Sequence, residues 1–483
     1  MAGLRRELGA AEAMALSVAL MAPTLSASLN GPGTAAIAGS AVPLVLIVST
    51  IGVGLVAYAF VKLTRKHNHA GSSYAFVGTE IGPRTGFFAG FALLGVYLAF
   101  CGSTMTATVI FCQDFLARIG LDVGGWGWIP IAVVAAIAGY VLCNREVRLV
   151  AKILLWIEFI SIGLIVILSL WILIRLSTAT APASLPDAGL SATPFLPGAE
   201  GLGPIAAATV LGFFCFAGFE ASASLGEETS NPRKLIPVAI GAAVLIGGIL
   251  FVVAFYAQTV AYGVSDEGVQ AYIDSGAPLD KLGEVFIGGW VSALLNFGAF
   301  MSAFGCFLGS VTAAARLNFA LSRDGFGPKR LAQLSPSGAP SVAVGLSVLV
   351  GLIAVALLHG VAGASINDVY FYCGTVGSLL ILVAYALTSA AAIVMCVRDA
   401  QRGRWAQSAL LAVGVVFIAF VLYKSCVPIP DFPANLFPYI AGGWLLIGLI
   451  AVVASPALAA RIGQNLAAAD RRDEAPVATE QLG

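Results

Sequence analysis

Charge is scarce in this sequence. Lys and Arg (25) and Asp and Glu (25) make up 10% of its 483 residues and cancel to a net charge of zero. A soluble domain carries about a quarter of its residues as charged side chains, so a water-facing surface is beyond this chain's means. The balance also argues against the basic face that nucleic acid binding needs. The three histidines, two of them at His67 and His69 in one short loop, are too few and too badly placed for a metal centre. The eight cysteines (101, 112, 143, 215, 306, 373, 396 and 426) form no C-x-x-C pair and mostly sit in apolar runs. They read as small core residues rather than disulfides or ligands. H-E-x-x-H and G-x-S-x-G are absent, as is a repeated selectivity filter, which turns the reading away from a membrane enzyme and from a channel. No cofactor is implied.

Apolar length is what the chain has instead: 59% hydrophobic residues and a mean hydropathy of +0.95. A helix crossing the hydrocarbon of a lipid bilayer needs about 20 mostly apolar residues, because only internal hydrogen bonds satisfy its backbone there. Twelve segments qualify: residues 11–37, 42–63, 86–116, 126–143, 150–176 and 205–225, then 236–262, 285–321, 341–358, 370–395, 406–422 and 436–453. The runs are too long for barrel strands and lack their alternation. With both termini cytoplasmic, all the Lys and Arg except Arg118, Arg175, Lys281 and Lys424 fall on the cytoplasmic side, as the positive-inside rule requires. The N-terminal apolar segment exceeds a signal peptide's core and has no evident cleavage site, so it is expected to stay attached. Residues 178–204, rich in Pro, Gly, Ser and Ala, read as an external loop. Residues 467–483 read as a disordered cytoplasmic tail.

Two spans are interrupted. "GFFCFAGFEASASLGEETSNPRK" begins at Gly212 as a membrane helix and then carries Gly218 and Glu220 at bilayer depth. Irregular backbone is tolerated there only where it lines a cavity. A break near Phe216 to Glu220 frees carbonyls for an ammonium group and leaves a half-helix N-terminus that favours a carboxylate, the two ends of an amino acid. The alternative is a glycine-mediated helix contact with Glu220 paired to a neighbour. In the first span, "ALMAPTLSASLNGPG" places Pro23 after an apolar turn, leaving carbonyls near Ser17, Ala19 and Leu20 open. Breaks at matching places in two five-span halves point to a transporter built from inverted repeats.

The stretch from Gly212 through "NPRKLIPVAI" resembles the sixth span and following loop of amino acid permeases of the amino acid–polyamine–organocation (APC) superfamily. "HAGSSYAFVGTEIGPRTGFFAGF" from His69 is similar to their loop between spans two and three, and "ARLNFALSRDGFGPKRLAQLSPSGAPSVAV" from Ala315 to the loop after span eight. The resemblance implies an all-α membrane protein with a leucine-transporter-like fold: one transporter domain over residues 1–466, with inverted repeats at 11–176 and 205–395 and two added helices at 406–453. It implies a secondary transporter of amino acids or related amines in the cytoplasmic membrane, working by alternating access. By resemblance, substrate binding falls to Ala22, Pro23, Thr24, Leu25 and Ser26 and to Phe216, Ala217, Gly218 and Phe219. Many members have a Gly-Ser-Gly triplet at the first break, where this chain has Pro23, Thr24 and Leu25.

Glu158 and Glu220 are the candidate coupling residues, since a charge inside a span is costly and functional by default. Glu158, in "LLWIEFISIGL", has no basic neighbour in sequence and can bind and release a proton. Proton-linked family members carry a lysine near that position. Proton symport is the expected coupling, with exchange and uniport as alternatives and sodium a remoter one through a hydroxyl such as Ser302. The bland reading of Glu158 is a carboxylate held by hydroxyls and backbone amides. For Glu220 the choice lies between contacting a substrate ammonium and packing behind the break as an acceptor, and packing is favoured. Tyr74 is a gate residue or a surface aromatic, Glu227 and Glu228 a solvated charge cluster, and Phe300, Phe304 and Phe307 packing.

Overall fold

The computed structural model describes residues 9–67, 72–145, 148–198, 201–225, 229–323, 325–335, 338–398 and 404–454, with 461 and 464. The expected tail at 467–483, His69, Glu227 and Glu228 lie outside the described residues. Among those described there are helices and no strands: α1 (Ala10–Met21), α2 (Pro23–Ala38), α3 (Val42–Lys66), α4 (Ser72–Glu80), α5 (Pro83–Arg118), α6 (Trp128–Cys143), α7 (Arg148–Ser177) and α8 (Leu202–Phe216). They continue as α9 (Pro232–Tyr262), α10 (Asp266–Asp274), α11 (Pro278–Phe286), α12 (Gly289–Arg323), α13 (Ser341–Val355), α14 (Ile366–Arg398), α15 (Arg404–Cys426) and α16 (Phe437–Ala454).

Nine described stretches are long and apolar enough to cross a membrane. The first, Met14–Lys66, takes in two of the expected spans, and two others, Trp128–Cys143 and Leu202–Phe216, are shorter apolar helices. One expected boundary moves. Val285, placed by hydropathy at the start of a span, belongs to the short helix α11, and the long helix α12 starts at Gly289. The intervening Ile287–Gly288 kink is invisible to a hydropathy window because both residues are apolar.

Hydrophobicity alone does not pack helices that lie among lipid tails; shape, small residues and polar contacts do. The pattern fits. Leu, Ile, Val and Trp side chains such as Val134, Ile160, Leu245 and Val416 point outward, while small residues (Ala, Gly, Ser and Thr) recur along the inner faces of α2, α5 and α12. Helix α5 is the most buried long span and packs on α12 and α14; α15 and α16 are the least buried and sit at the rim.

At the end bearing Lys66 and Arg398, Glu80 ties three elements together. Its carboxylate accepts from Lys66 Nζ at 2.9 Å and lies 2.7 Å from His67 Nε2, and Arg398 Nη1 donates to its carbonyl at 2.8 Å. Burial pushes the Glu80 carboxyl up, but the hydrogen bonds from His67 and Lys66 outweigh it and hold the group below its ordinary value. A folded-state value below the unfolded one contributes stability above the ordinary carboxylate range and loses it as pH falls through the depressed value. The melting temperature of the wild type should therefore fall on acidification towards that value, and Glu80→Gln should flatten this dependence. An unchanged pH profile in Glu80→Gln would sink the assignment.

Candidate functional site

The first interruption is three hydrogen bonds wide. Helix α1 closes with Ala22 N–H on Val18 O at 3.0 Å, and Ala22 itself turns left-handed at φ 43°, a conformation that costs a non-glycine residue about 1–2 kcal/mol. Pro23 follows as the first residue of α2, where its fixed φ suits the helix, and it has no N–H to give Ala19 O. Thr24 N–H leaves the helix pattern and donates to Glu158 Oε1 at 2.9 Å, and Leu25 N–H donates to Ser302 Oγ at 3.3 Å. The ladder resumes with Ser26 N–H on Ala22 O at 2.9 Å. Ser26 Oγ donates back to Met21 O at 3.2 Å. Glu158 comes from α7 and Ser302 from α12, so side chains from two other helices hold the start of α2.

The second interruption ends α8 at Phe216. Ala217 is extended, Gly218 has φ 102°, and a short 3-10 helix begins at Ala221. The two interruptions touch. Ser17 Oγ donates to Phe219 O at 2.8 Å and accepts from Ser222 N–H at 3.1 Å, and Gly218 lies against the backbone of Leu20. Cys306 Sγ donates to Leu20 O at 3.2 Å. Ala22, Thr24, Leu25, Ser26, Phe216, Ala217, Phe219, Glu158 and Glu220 are all buried, as are Pro23 and Gly218.

The structure brings Thr24 and Glu158 into direct contact and sets Leu25 on Ser302. It places Glu220 in another setting, where Tyr385 Oη donates to its Oε2 at 2.8 Å. Tyr385 and Phe219 also meet at 5.3 Å between ring centroids, and both pack on Phe60. These rings close one side of the breaks. On the other, Tyr272 Oη donates to Gln258 Oε1 at 2.8 Å, Gln258 Nε2 to Ala27 O at 3.0 Å, and Tyr370 Oη to Asn30 Oδ1 at 2.8 Å. A cavity of 750 Å³, lined by Asp114, Arg118, Tyr262, Asp274, Asp280 and Lys281, lies beyond Tyr272 at that end. Tyr74 is buried against Phe87 and Phe91 and is no surface aromatic, while Phe307 packs in the core with Phe304 against it.

Sequence reasoning missed Ser17, Cys306, Gln258 and Tyr385. Gln258 carried a signal, a lone amide in the apolar run "FYAQTVAY" of α9; Ser17 and Cys306 look like any small residues of apolar helices. Replacing Gln258 by leucine leaves the buried Tyr272 hydroxyl without its acceptor, at about 1–3 kcal/mol, while the Ala27 carbonyl keeps its place in the helix ladder of α2. The expected result is a lower melting temperature of the solubilised protein. An unchanged melting temperature would show that the chain from Tyr272 to Ala27 contributes nothing.

The amino acid permease family pattern matches residues 8–452. The branched-chain amino acid permease of Bacillus subtilis is 26% identical over 344 residues, 69% of this chain and 70% of the relative. An uncharacterized transporter of Mycobacterium tuberculosis is 27% identical over 434 residues, 88% of each chain. The low-affinity putrescine importer of Escherichia coli is 24% identical over 291 residues, 60% of each. A match running from before α1 almost to the end of α16, over the same helices that carry both interruptions, makes this chain a multi-pass membrane transporter that belongs to the amino acid permease family.

Proposed function

We propose that the protein is a secondary active transporter of amino acids or related amines, working by alternating access in the cytoplasmic membrane with both termini cytoplasmic. The observation that carries this reading is the meeting of two helix interruptions, at Ala22 and at Ala217–Gly218, in the buried centre of a bundle of membrane helices. Interrupted helices expose carbonyls and helix ends at bilayer depth, which serve a charged cargo passing between two solvent faces. The names of relatives, a branched-chain amino acid permease and a putrescine importer, span the same chemistry. Residues 11–176 and 205–395 act as the two inverted repeats, with the helices at 406–453 as additions. Ala22 to Ser26 and Phe216 to Phe219 form the binding segment, and Glu220, held by Tyr385, braces the second break.

Coupling in this reading is proton symport through Glu158. Its contact with the Thr24 amide puts a protonatable group directly on the moving break. Exchange is the second reading, because a buried carboxyl can be neutralised by an ammonium group as well as by a proton. The test is uptake of labelled amino acids and amines into liposomes holding the purified protein, with and without an inward proton gradient. Accumulation that depends on the gradient supports symport; uptake only against a preloaded substrate replaces it with exchange. Movement of no compound in either arrangement would overturn the substrate class.

A further inference from the structure

The first interruption is unusual in what it leaves unpaired. An interrupted helix normally exposes both carbonyls and amides, yet here the amides are consumed by the chain itself. Pro23 has none, Thr24 gives its own to Glu158, Leu25 gives its own to Ser302 and Ser26 returns to the helix ladder. At the second interruption the amides of Ala217, Phe219, Ala221 and Ser222 are likewise used, on Phe214 O, Phe216 O, Gly218 O and Ser17 Oγ. The carbonyls fare differently. Ala19 O has lost its helical donor to Pro23, and Leu20 O receives only the Cys306 thiol, a weak donor.

The buried charges point the same way. Among the described residues the buried charged side chains are Glu80, Glu158 and Glu220, all acidic. Glu80 is paired with Lys66 and His67, whereas no basic side chain forms an ion pair with Glu158 or Glu220 among the described residues. Glu220 Oε1 is buried and accepts no hydrogen bond of good geometry. The centre therefore offers acceptors and negative charge, and the backbone amides named above are taken; the hydroxyls of Thr24 and Ser222 are the donors left without a partner among the described residues. An ammonium group, with three donors and no acceptor, complements such a place. An α-carboxylate would meet the negative side chains of Glu158 and Glu220 with no basic partner beside them among the described residues, and the position facing the Thr24 amide is filled by the carboxyl of Glu158.

We infer that Glu158 is a built-in occupant of the carboxylate position at the first interruption, and that it makes the protein select alkyl amines lacking a carboxylate over the corresponding amino acids. The inference rests on the transport reading above and narrows its substrate class. The apolar side chains of Leu25, Phe216 and Phe219 suit an alkyl body. Selection depends on the oxygen that meets Thr24 N–H rather than on its charge, so glutamine can replace Glu158 in this role and alanine cannot.

The experiment measures binding of 3-methylbutylamine and of leucine, which differ only by the carboxylate, to the full chain in lipid nanodiscs by calorimetry. The wild type is expected to bind the amine at least tenfold more tightly than leucine. In Glu158→Ala the preference should fall at least tenfold, because the Thr24 amide becomes available to leucine. In Glu158→Gln it should stay within threefold of wild type. Leucine binding to the wild type as tightly as the amine overturns the inference and leaves the transport reading standing. Binding of neither compound also overturns the inference, while the transport reading stands or falls on the liposome panel. Should Glu158→Ala not fold, the wild-type ratio and its persistence in Glu158→Gln still decide the matter.

Discussion

Gly218→Ala is expected to reduce uptake to the level of protein-free liposomes. The reason is geometric. Gly218 has φ 102°, which side-chain-bearing residues rarely adopt, and holding alanine there costs of order 1–3 kcal/mol. A Cβ on Gly218 would also lie 2.6 Å from Leu20 Cβ and 2.9 Å from the Leu20 carbonyl carbon. Overpacking of this kind adds about 1–3 kcal/mol where the neighbours can shift, and here one neighbour is backbone. The only way to relieve it is to part the two interruptions, which breaks the Ser17 contacts with Phe219 and Ser222. Shortening Leu20 to alanine in the double variant should not restore uptake, since both clashing atoms remain. Gly241→Ala in α9, where a Cβ would meet nothing within 4 Å, should transport normally. Near wild-type uptake by Gly218→Ala would show that the close approach of the two breaks is dispensable.

That the interruptions exist was legible because their causes are local. Proline cannot donate at position 23 whatever surrounds it, and glycine at 218 relaxes the backbone wherever it stands. The membrane class followed from composition, and the permease family from three loop motifs. What closes each break was not legible, because it arrives from distant parts of the chain. Glu158 is 134 residues from Thr24, Ser302 is 277 from Leu25, and Ser17 is 202 from Phe219. Periodicity cannot tell which serine of an apolar helix faces a break and which faces lipid. The half-helix N-terminus favouring a carboxylate was expected at the second break; at the first, the start of α2 meets the carboxylate of Glu158. Glu220 was read as an acceptor behind the break, and its bond from Tyr385 agrees with that, although no sequence feature singled out Tyr385 among the chain's 12 tyrosines.

Glu158→Gln should separate proton coupling from the architecture of the site. Glutamine keeps an oxygen that accepts the Thr24 N–H now held at 2.9 Å, so α2 retains its cap. Removing that cap altogether would cost about 0.5–2 kcal/mol. The amide cannot take up a proton near neutral pH, so the group no longer alternates between two charge states during the cycle. Two readouts should therefore part company. Exchange of labelled for unlabelled substrate across liposomes, which needs only reorientation of the loaded protein, should remain within about threefold of wild type. Accumulation driven by an inward proton gradient should fall at least tenfold and lose its dependence on external pH, because a proton that cannot bind Glu158 cannot be carried by it. Tenfold corresponds to about 1.4 kcal/mol of coupling free energy, well within what a gradient supplies through one titrating group. Full gradient-driven accumulation by Glu158→Gln would remove the proton from this residue and leave Glu158 as the structural cap of α2. Loss of exchange together with accumulation would show instead that its negative charge is needed for reorientation itself, as expected if Glu158 directly balances a cationic substrate.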